Sequence, residues 1–381
     1  MPLPHYHYFH HFEKDHELEE IFMNRVIETI AFSLVALFIP SYLYSLGYSL
    51  SESLSYLFYL FAFMTLSTFL GTQSYYRKGL VFNVFVSVLL YFAHFYVLFG
   101  FESGVWPVWL LAAFFGAGHA FYWVAINTDF IGHEHKRKTG RETALLLIAP
   151  KLGVLLGPLV GAYVLTAFGI QNLIYAVAGL LLLSLAPLLK AKPFIPKTGL
   201  ERVGVFSGKP FKLWHAEFAD GVMNAGVWAW TLYAFVVVGT FEGVGIVGAL
   251  SALGGIILAL LIGGFEDAHG SKTVLKSFSL ANFLAWLAGA LTLTPFAVYA
   301  LTLLRGFTQT VFDLTLFKDF VDVAKKKDLL SFVHHREIVL CAGRLAMLGV
   351  VIMLPDALKF QAAFSLTALA SASLYFYSPE K

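Results

Sequence analysis

The chain has 381 residues, 58% of them hydrophobic and only 13% charged, with a formal net charge of +2. A soluble domain carries about 25% charged residues. Most side chains here therefore do not face water, and a soluble enzyme or a nucleic-acid-binding domain is excluded. The single cysteine, Cys341, excludes an internal disulfide and any multi-cysteine metal site.

Residues 1–25 form a polar leader with five histidines, His5, His7, His10, His11 and His16. That density suggests a weak metal site, although a solvated tail accounts for it more simply. No basic segment precedes the first apolar run, so that run is expected to act as its own uncleaved insertion signal. Apolar runs of bilayer-spanning length are predicted near 26–46, 51–72, 79–99, 106–130, 142–168 and 172–189. A polar, Pro- and Gly-broken stretch follows, with Lys190, Lys192, Lys197, Arg202, Lys209 and Lys212. Further runs are predicted near 216–238, 243–264, 273–293, 296–318, 335–354 and 358–377. The expected organisation is an all-α membrane protein of about twelve spans. It comprises the leader, a six-helix bundle (26–190), a basic linker (191–215) and a second six-helix bundle (216–381).

Lysine and arginine gather on one side of this map: Arg77, Lys78, Lys136, Arg137, Lys138, Arg141, the linker, Lys272, Lys276, Lys318, Lys325, Lys326, Lys327 and Arg336. Only Lys359 falls opposite. The positive-inside bias makes the basic side cytoplasmic and, with an even span count, places both termini there. Lys325–Lys327 and the linker are also able to hold anionic lipid. Internal repetition agrees with two halves. His119, Trp123 and Asn127 in span four recur at one constant offset as Arg305, Gln309 and Asp313 in span ten. Asn24, Glu28 and Phe32 recur as Asp220, Asn224 and Trp228.

These features together resemble the major facilitator superfamily over nearly the whole chain. Gly263-Gly264-Phe265-Glu266-Asp267-Ala268-His269-Gly270-Ser271-Lys272 is similar to that family's G-x-x-x-D-x-x-G-x-[KR] loop, with Gly263, Asp267, Gly270 and Lys272 in register. The resemblance implies that Asp267 caps a neighbouring helix and latches one gate state. Gly153, Gly157, Pro158 and Gly161 match the G-x-x-x-G-P-x-x-G motif of the family's exporters. Small residues at this spacing let two helices approach closely, and proline bends the helix. The equivalent loop after span two, Gly71 to Gly79, lacks the aspartate, and Trp109 and Leu110 stand where exporters carry an arginine. Tyr122-Trp123 with Asn127, and Arg336-Glu337-Ile338 with Gly343-Arg344, resemble a prokaryotic branch of the superfamily, which implies an inner or plasma membrane. The resemblance further implies a monomer with no cofactor, and a cavity lined by spans 1, 4, 7 and 10, helped by 2, 5, 8 and 11.

Lys151, Arg305 and Arg344 are sunk within such spans. An uncompensated charge at the bilayer centre costs about 2.5–3.5 kcal/mol, so each must be paired or face water. Arg344 has Asp313 as a potential partner, Lys151 is able to snorkel to the cytoplasm, and Arg305 has no obvious partner. Asp220, Asn224, Trp228 and Thr231 form one polar–aromatic face of span seven. The expected function is secondary transport of a small organic anion or amphiphile by alternating access, with export favoured by the Gly-Pro motif. The expected site joins Arg305, Gln309, Asp313, Asn224, Trp228, Trp123, Asn127, Lys151 and Arg344. Asp220, Asp313 and His119 are the candidates for proton coupling, although a satisfied interhelical hydrogen bond also accounts for His119. A membrane sensor on a transporter scaffold and a divalent-metal carrier are the rival readings. No phosphate loop, metal-ligand pair or activated nucleophile points to enzymology.

Overall fold

The computed structural model describes residues 16–101, 104, 106–133, 139–189, 210–269, 271–292 and 294–378; side chains at 16–17, 139–152, 260 and 262–272 lie outside that description. Among the described residues the chain is helical and contains no strand. The helices are α1 (His16–Val35), α2 (Ile39–Ser45), α3 (Leu50–Phe99), α4 (Val108–His133), α5 (Thr139–Leu188), α6 (Phe211–Val238), α7 (Phe241–His269), α8 (Ser271–Ala290), α9 (Pro295–Ala324), α10 (Leu329–Met353) and α11 (Asp356–Ser373). Among the described residues six segments are long and apolar enough to cross a membrane: Leu18–Ser45, Leu50–Phe99, Val108–His133, Gly153–Leu188, Phe211–Val238 and Phe241–Ala259.

The two 50-residue helices need a physical account. A straight helix of that length would run about 75 Å, more than twice the ~30 Å hydrocarbon core. Each instead breaks at one glycine, α3 at Gly79 (φ 77, ψ −171) and α5 at Gly169 (φ 82, ψ 168). Only glycine occupies that backbone region at low cost. Asn83, just past the first break, donates to the Gly71 carbonyl at 2.8 Å and to the Phe121 carbonyl at 3.3 Å. It thereby ties the two arms of α3 to each other and to α4. Gly79→Ala is expected to lower stability by about 1–3 kcal/mol, read as a drop in melting temperature of the purified protein in micelles.

The loop expected between 72 and 79 is helix up to Gly79, so the stretch compared with the family's loop motif is a helix end. The linker expected to reach 215 gives way to α6 at Phe211, which makes Lys212 helical. The span predicted from 335 begins at Leu329, and the span predicted to end at 318 runs to Ala324. Other ends fall where chain chemistry places them. Ser49 and Glu52 form a reciprocal capping box, Gly239 closes α6 in the left-handed conformation, and Thr294 caps α9 ahead of Pro295. Arg336, assigned from sequence to a cytoplasmic loop, lies inside α10 and is buried.

Packing is inverted relative to a soluble protein. Leu66, Tyr96, Leu291, Phe296 and Met353 point outward, whereas Asn24, Glu28, Asn83, Asp129 and Glu217 are buried. Outward apolar surface costs nothing in lipid, and inward polar groups find partners there. With the apolar helices, this makes the chain an integral, multi-pass membrane protein.

Glycine sets the closest helix contacts. A Cβ at Gly116 of α4 would overlap the Leu60 carbonyl of α3, and one at Gly306 of α9 the Ser251 carbonyl of α7. Likewise Gly161 of α5 sits on the Leu34 carbonyl of α1, and Gly343 of α10 on the Phe218 carbonyl of α6. The exporter-like motif thus has a defined use. Gly153, Gly157 and Gly161 seat α5 on Ile30, Ser33 and Leu34 of α1, while Pro158 meets Gly245 and Gly248 of α7. The other motif is less visible. Gly263 and Asp267 belong to the backbone of α7 and Lys272 to that of α8, but their side chains, and Gly270 entirely, lie outside the described residues.

Candidate functional site

Two cavities of about 300 and 330 Å³ meet in the interior. Asn224 and Asp313 line both, so the two cavities adjoin at a shared wall and together make up the central chamber. Its lining comes from both halves of the sequence. Leu37 and Val154 face residues of α6, α7 and α9 in the first cavity; Arg25, His119, Trp123 and Asn127 face residues of α6, α9 and α10 in the second.

The expected site residues converge there. Arg305, Gln309, Asp313 and Asn224 line the first cavity. Trp228, Trp123, Asn127, Asp220, His119 and Arg344, again with Asn224 and Asp313, line the second. Lys151 falls in the backbone of α5, but its side chain lies outside the described residues.

Arg305 is the chemical centre of the first cavity. It is only 5% exposed. Its guanidinium lies over the Trp286 ring at 3.3 Å and the Trp230 ring at 4.2 Å. Trp230 is itself fixed, because its indole N–H donates to Thr302 Oγ1 at 2.8 Å. The two indoles stabilise the cation through their π faces, but they cannot accept its hydrogen bonds in plane. Nε and Nη1 of Arg305 are buried with no hydrogen-bond partner, and no acid pairs with Arg305 among the described residues. A buried donor without an acceptor costs about 1–3 kcal/mol, and more when charged. One helical turn along α9, Gln309 donates to Asp313 at 3.2 Å.

Arg344 does not take Asp313 as its partner. Its guanidinium lies over Phe61 at 4.8 Å, and Nη1 reaches the sulfurs of Met64 and Cys341 at 3.8 Å each. His119 has the interhelical bond considered from sequence, with Nδ1 3.0 Å from the Tyr91 hydroxyl. Phe32, Phe115 and Tyr91 surround its ring.

A buried charged cluster escaped the sequence reading. Arg336 Nε donates to Glu217 at 2.9 Å, and Nη1 lies 3.6 Å from Glu337. Asn127 of α4 donates to Glu337 Oε1 at 3.1 Å, which connects the two halves of the sequence across the chamber. Arg25, over Trp123 at 4.0 Å, pairs with Glu28 at 3.2 Å. Glu217 and Arg336 sit near the ends of predicted spans, where a charge reads as interfacial; their pairing across 119 positions has no local signal. Removing one partner of a buried pair costs about 3–5 kcal/mol. Glu217→Leu should therefore destabilise by that order, and adding Arg336→Leu should recover part of the loss in melting temperature.

The leader histidines His5, His7, His10 and His11, on which a metal-carrier reading rests, lie outside the described residues. Among the described residues no three His, Cys, Asp or Glu side chains are grouped to hold a metal ion.

Comparison with solved structures identifies the architecture. This is the fold of major facilitator superfamily transporters. The transporter FucP in its outward conformation matches with a TM-score of 0.67 at 14% identity, over 94% of this chain and 97% of that one. A variant of the E. coli fucose:proton symporter FucP matches at 0.66 and 14%, with the same coverage. The human organic anion transporter MFSD10 (TETRAN) matches at 0.68 and 12%, over 95% of this chain and 98% of that one. No protein-family profile matches the sequence. No curated protein matches it either.

Proposed function

We propose that the chain is a secondary transporter of the major facilitator type that carries a small organic anion. The carrying observation is Arg305: a buried guanidinium between two indoles, facing a cavity, with donors that nothing in the described protein satisfies. A permanent structural cation would be paired with an acid. A cation that must bind and release an anion is better left vacant, because the ligand then supplies the missing acceptors.

In this reading α3 and α5 each contribute two spans, which gives twelve in two six-helix bundles, α1–α5 and α6–α11. The glycine contacts support it, since α3–α4 and α7–α9 pack alike, as do α1–α5 and α6–α10. The bundles rock about the chamber so that it faces each side in turn. The α5–α7 contact at Pro158 and the Asn127–Glu337 bond between α4 and α10 are the contacts that open and reclose. Loops rich in lysine and arginine face the cytoplasm, and both termini lie there. One chain encloses the chamber, so a monomer suffices.

MFSD10 is named an organic anion transporter and FucP a proton symporter. The first accords with the anion reading. The second accords with proton coupling through Asp220, Asp313 or His119. Export is the direction that the Gly-Pro motif favours. The test is flux of a panel of radiolabelled carboxylates, with fucose as a neutral control, into and out of sealed proteoliposomes. Saturable carboxylate flux above that of protein-free liposomes is expected. Binding without flux would make the protein a sensor instead.

A further inference from the structure

The buried groups of the first cavity that lack hydrogen-bond partners describe what the ligand must bring. Three are donors: Nε and Nη1 of Arg305, and the indole N–H of Trp286. One is an acceptor, Gln309 Oε1. Its orientation is dictated by chemistry. The Gln309 amide reaches Asp313, a carboxylate only accepts, so the NH₂ end points there and the carbonyl end is left over. Three of the neighbouring hydroxyls have spent their protons, Thr231 on the Trp228 carbonyl, Thr310 on the Gly306 carbonyl and Thr302 on the Val298 carbonyl.

We infer that the transported anion is a small hydroxycarboxylate whose hydroxyl is read by Gln309. This rests on the anion-carrier reading above. The two indoles stand at 82° to each other and wall the guanidinium on two sides, so a ligand meets a remaining N–H edge, which suits a planar carboxylate. A carboxylate has about four lone-pair sites and occupies one edge of the guanidinium; Nε and Nη1 lie on different edges, so a further ligand oxygen must serve the donor left over. Its single charge matches the single guanidinium, whereas a phosphate dianion would leave one charge unmatched in a low-dielectric site. Arg305 and Gln309 are four residues apart on α9, and side chains at that spacing are about 5–6 Å apart at their Cβ atoms. The ligand must therefore carry a donor within a few bonds of its carboxylate. A simple fatty acid satisfies Arg305 and leaves Gln309 Oε1 desolvated and empty. The cavity, at about 300 Å³, holds a small organic acid.

The test is calorimetric binding to the purified full chain in nanodiscs, with matched probes. These are lactate against propionate, 3-hydroxybutyrate against butyrate, and mandelate against phenylacetate, with alanine as the ammonium counterpart of lactate. At least one hydroxy acid should bind about tenfold or more tighter than its deoxy partner, the effect of satisfying one buried acceptor. Gln309→Met should bring that ratio close to one, and Gln309→Glu, which keeps an acceptor, should preserve a preference. Equal binding of hydroxy and deoxy acids in the unaltered protein overturns the inference and leaves anion carriage standing. So does a preference that survives Gln309→Met, and so does tighter binding of alanine than lactate, which would make the donor an ammonium. Failure of every carboxylate to bind overturns both the inference and the anion reading. Proteoliposome flux of any acid that binds reports separately on transport.

Discussion

Arg305→Gln is expected to abolish carboxylate flux while the protein stays folded and becomes no less stable. The two effects have one origin. Hydrogen bonds to a charged group contribute about 1.5–3 kcal/mol each, so loss of two to a bound carboxylate weakens it by at least a hundredfold. The folded apoprotein, by contrast, gains nothing from this cation beyond its stacking on Trp230 and Trp286. Its Nε and Nη1 are desolvated and unpaired, and burying such groups opposes folding. Gln removes the charge and keeps part of the volume, so the melting temperature should hold or rise. Arg305→Lys keeps the charge but loses the planar fork between the indoles, and an intermediate affinity is expected. Flux and melting temperature together decide the matter. Normal flux removes Arg305 from the site, and a large fall in melting temperature makes its role structural.

Gly161→Val should have a large effect on folding. A Cβ at this position falls on the Leu34 carbonyl of α1, which is backbone and cannot rotate away. The helices must separate, and every contact along the seam, including Ser33 against Gly157 and Ile30 against Gly153, is loosened. Overpacking a well-filled contact costs about 1–3 kcal/mol; with the rest of the seam disturbed, a loss at or above the top of that range is expected. Size-exclusion profiles and melting curves of the detergent-solubilised protein read it directly. Gly179→Ala in the same helix is the control. Nothing lies within 4 Å of its Cβ position. This change should be neutral or stabilise by up to about 1 kcal/mol through helix propensity.

Much of the fold is legible in the sequence, because lipid imposes a simple rule on long apolar runs and on lysine and arginine. Local chemistry ends or starts helices at Ser49, Gly239 and Thr294, close to the predicted span limits 51, 238 and 296. The stretch 72–79 misled for a physical reason. Arg77, Lys78 and Gly79 look like loop residues, yet a helix can carry charge past the membrane face and break only at the glycine. The chamber was readable where polar residues recur at helical spacing, as with Arg305, Gln309 and Asp313 on α9. It was not readable where the lining depends on partners distant in sequence. That Arg305 would lie between Trp230 and Trp286, or that Glu217 would meet Arg336, follows from how α6, α8, α9 and α10 pack. No local pattern encodes it. Arg344 carried the same signal as Arg305 and ended against sulfur and Phe61 instead of Asp313.

Labelling of one cysteine from each side of a sealed membrane tests the carrier reading most directly. Asn224 lies on the wall shared by both cavities. With the buried Cys341 replaced by alanine and Asn224→Cys introduced, a membrane-impermeant maleimide is applied outside or inside proteoliposomes. A rocking carrier gives labelling from both sides, each slowed by any carboxylate that the calorimetric screen finds to bind. Labelling from one side alone, at a rate that no carboxylate changes, would contradict it.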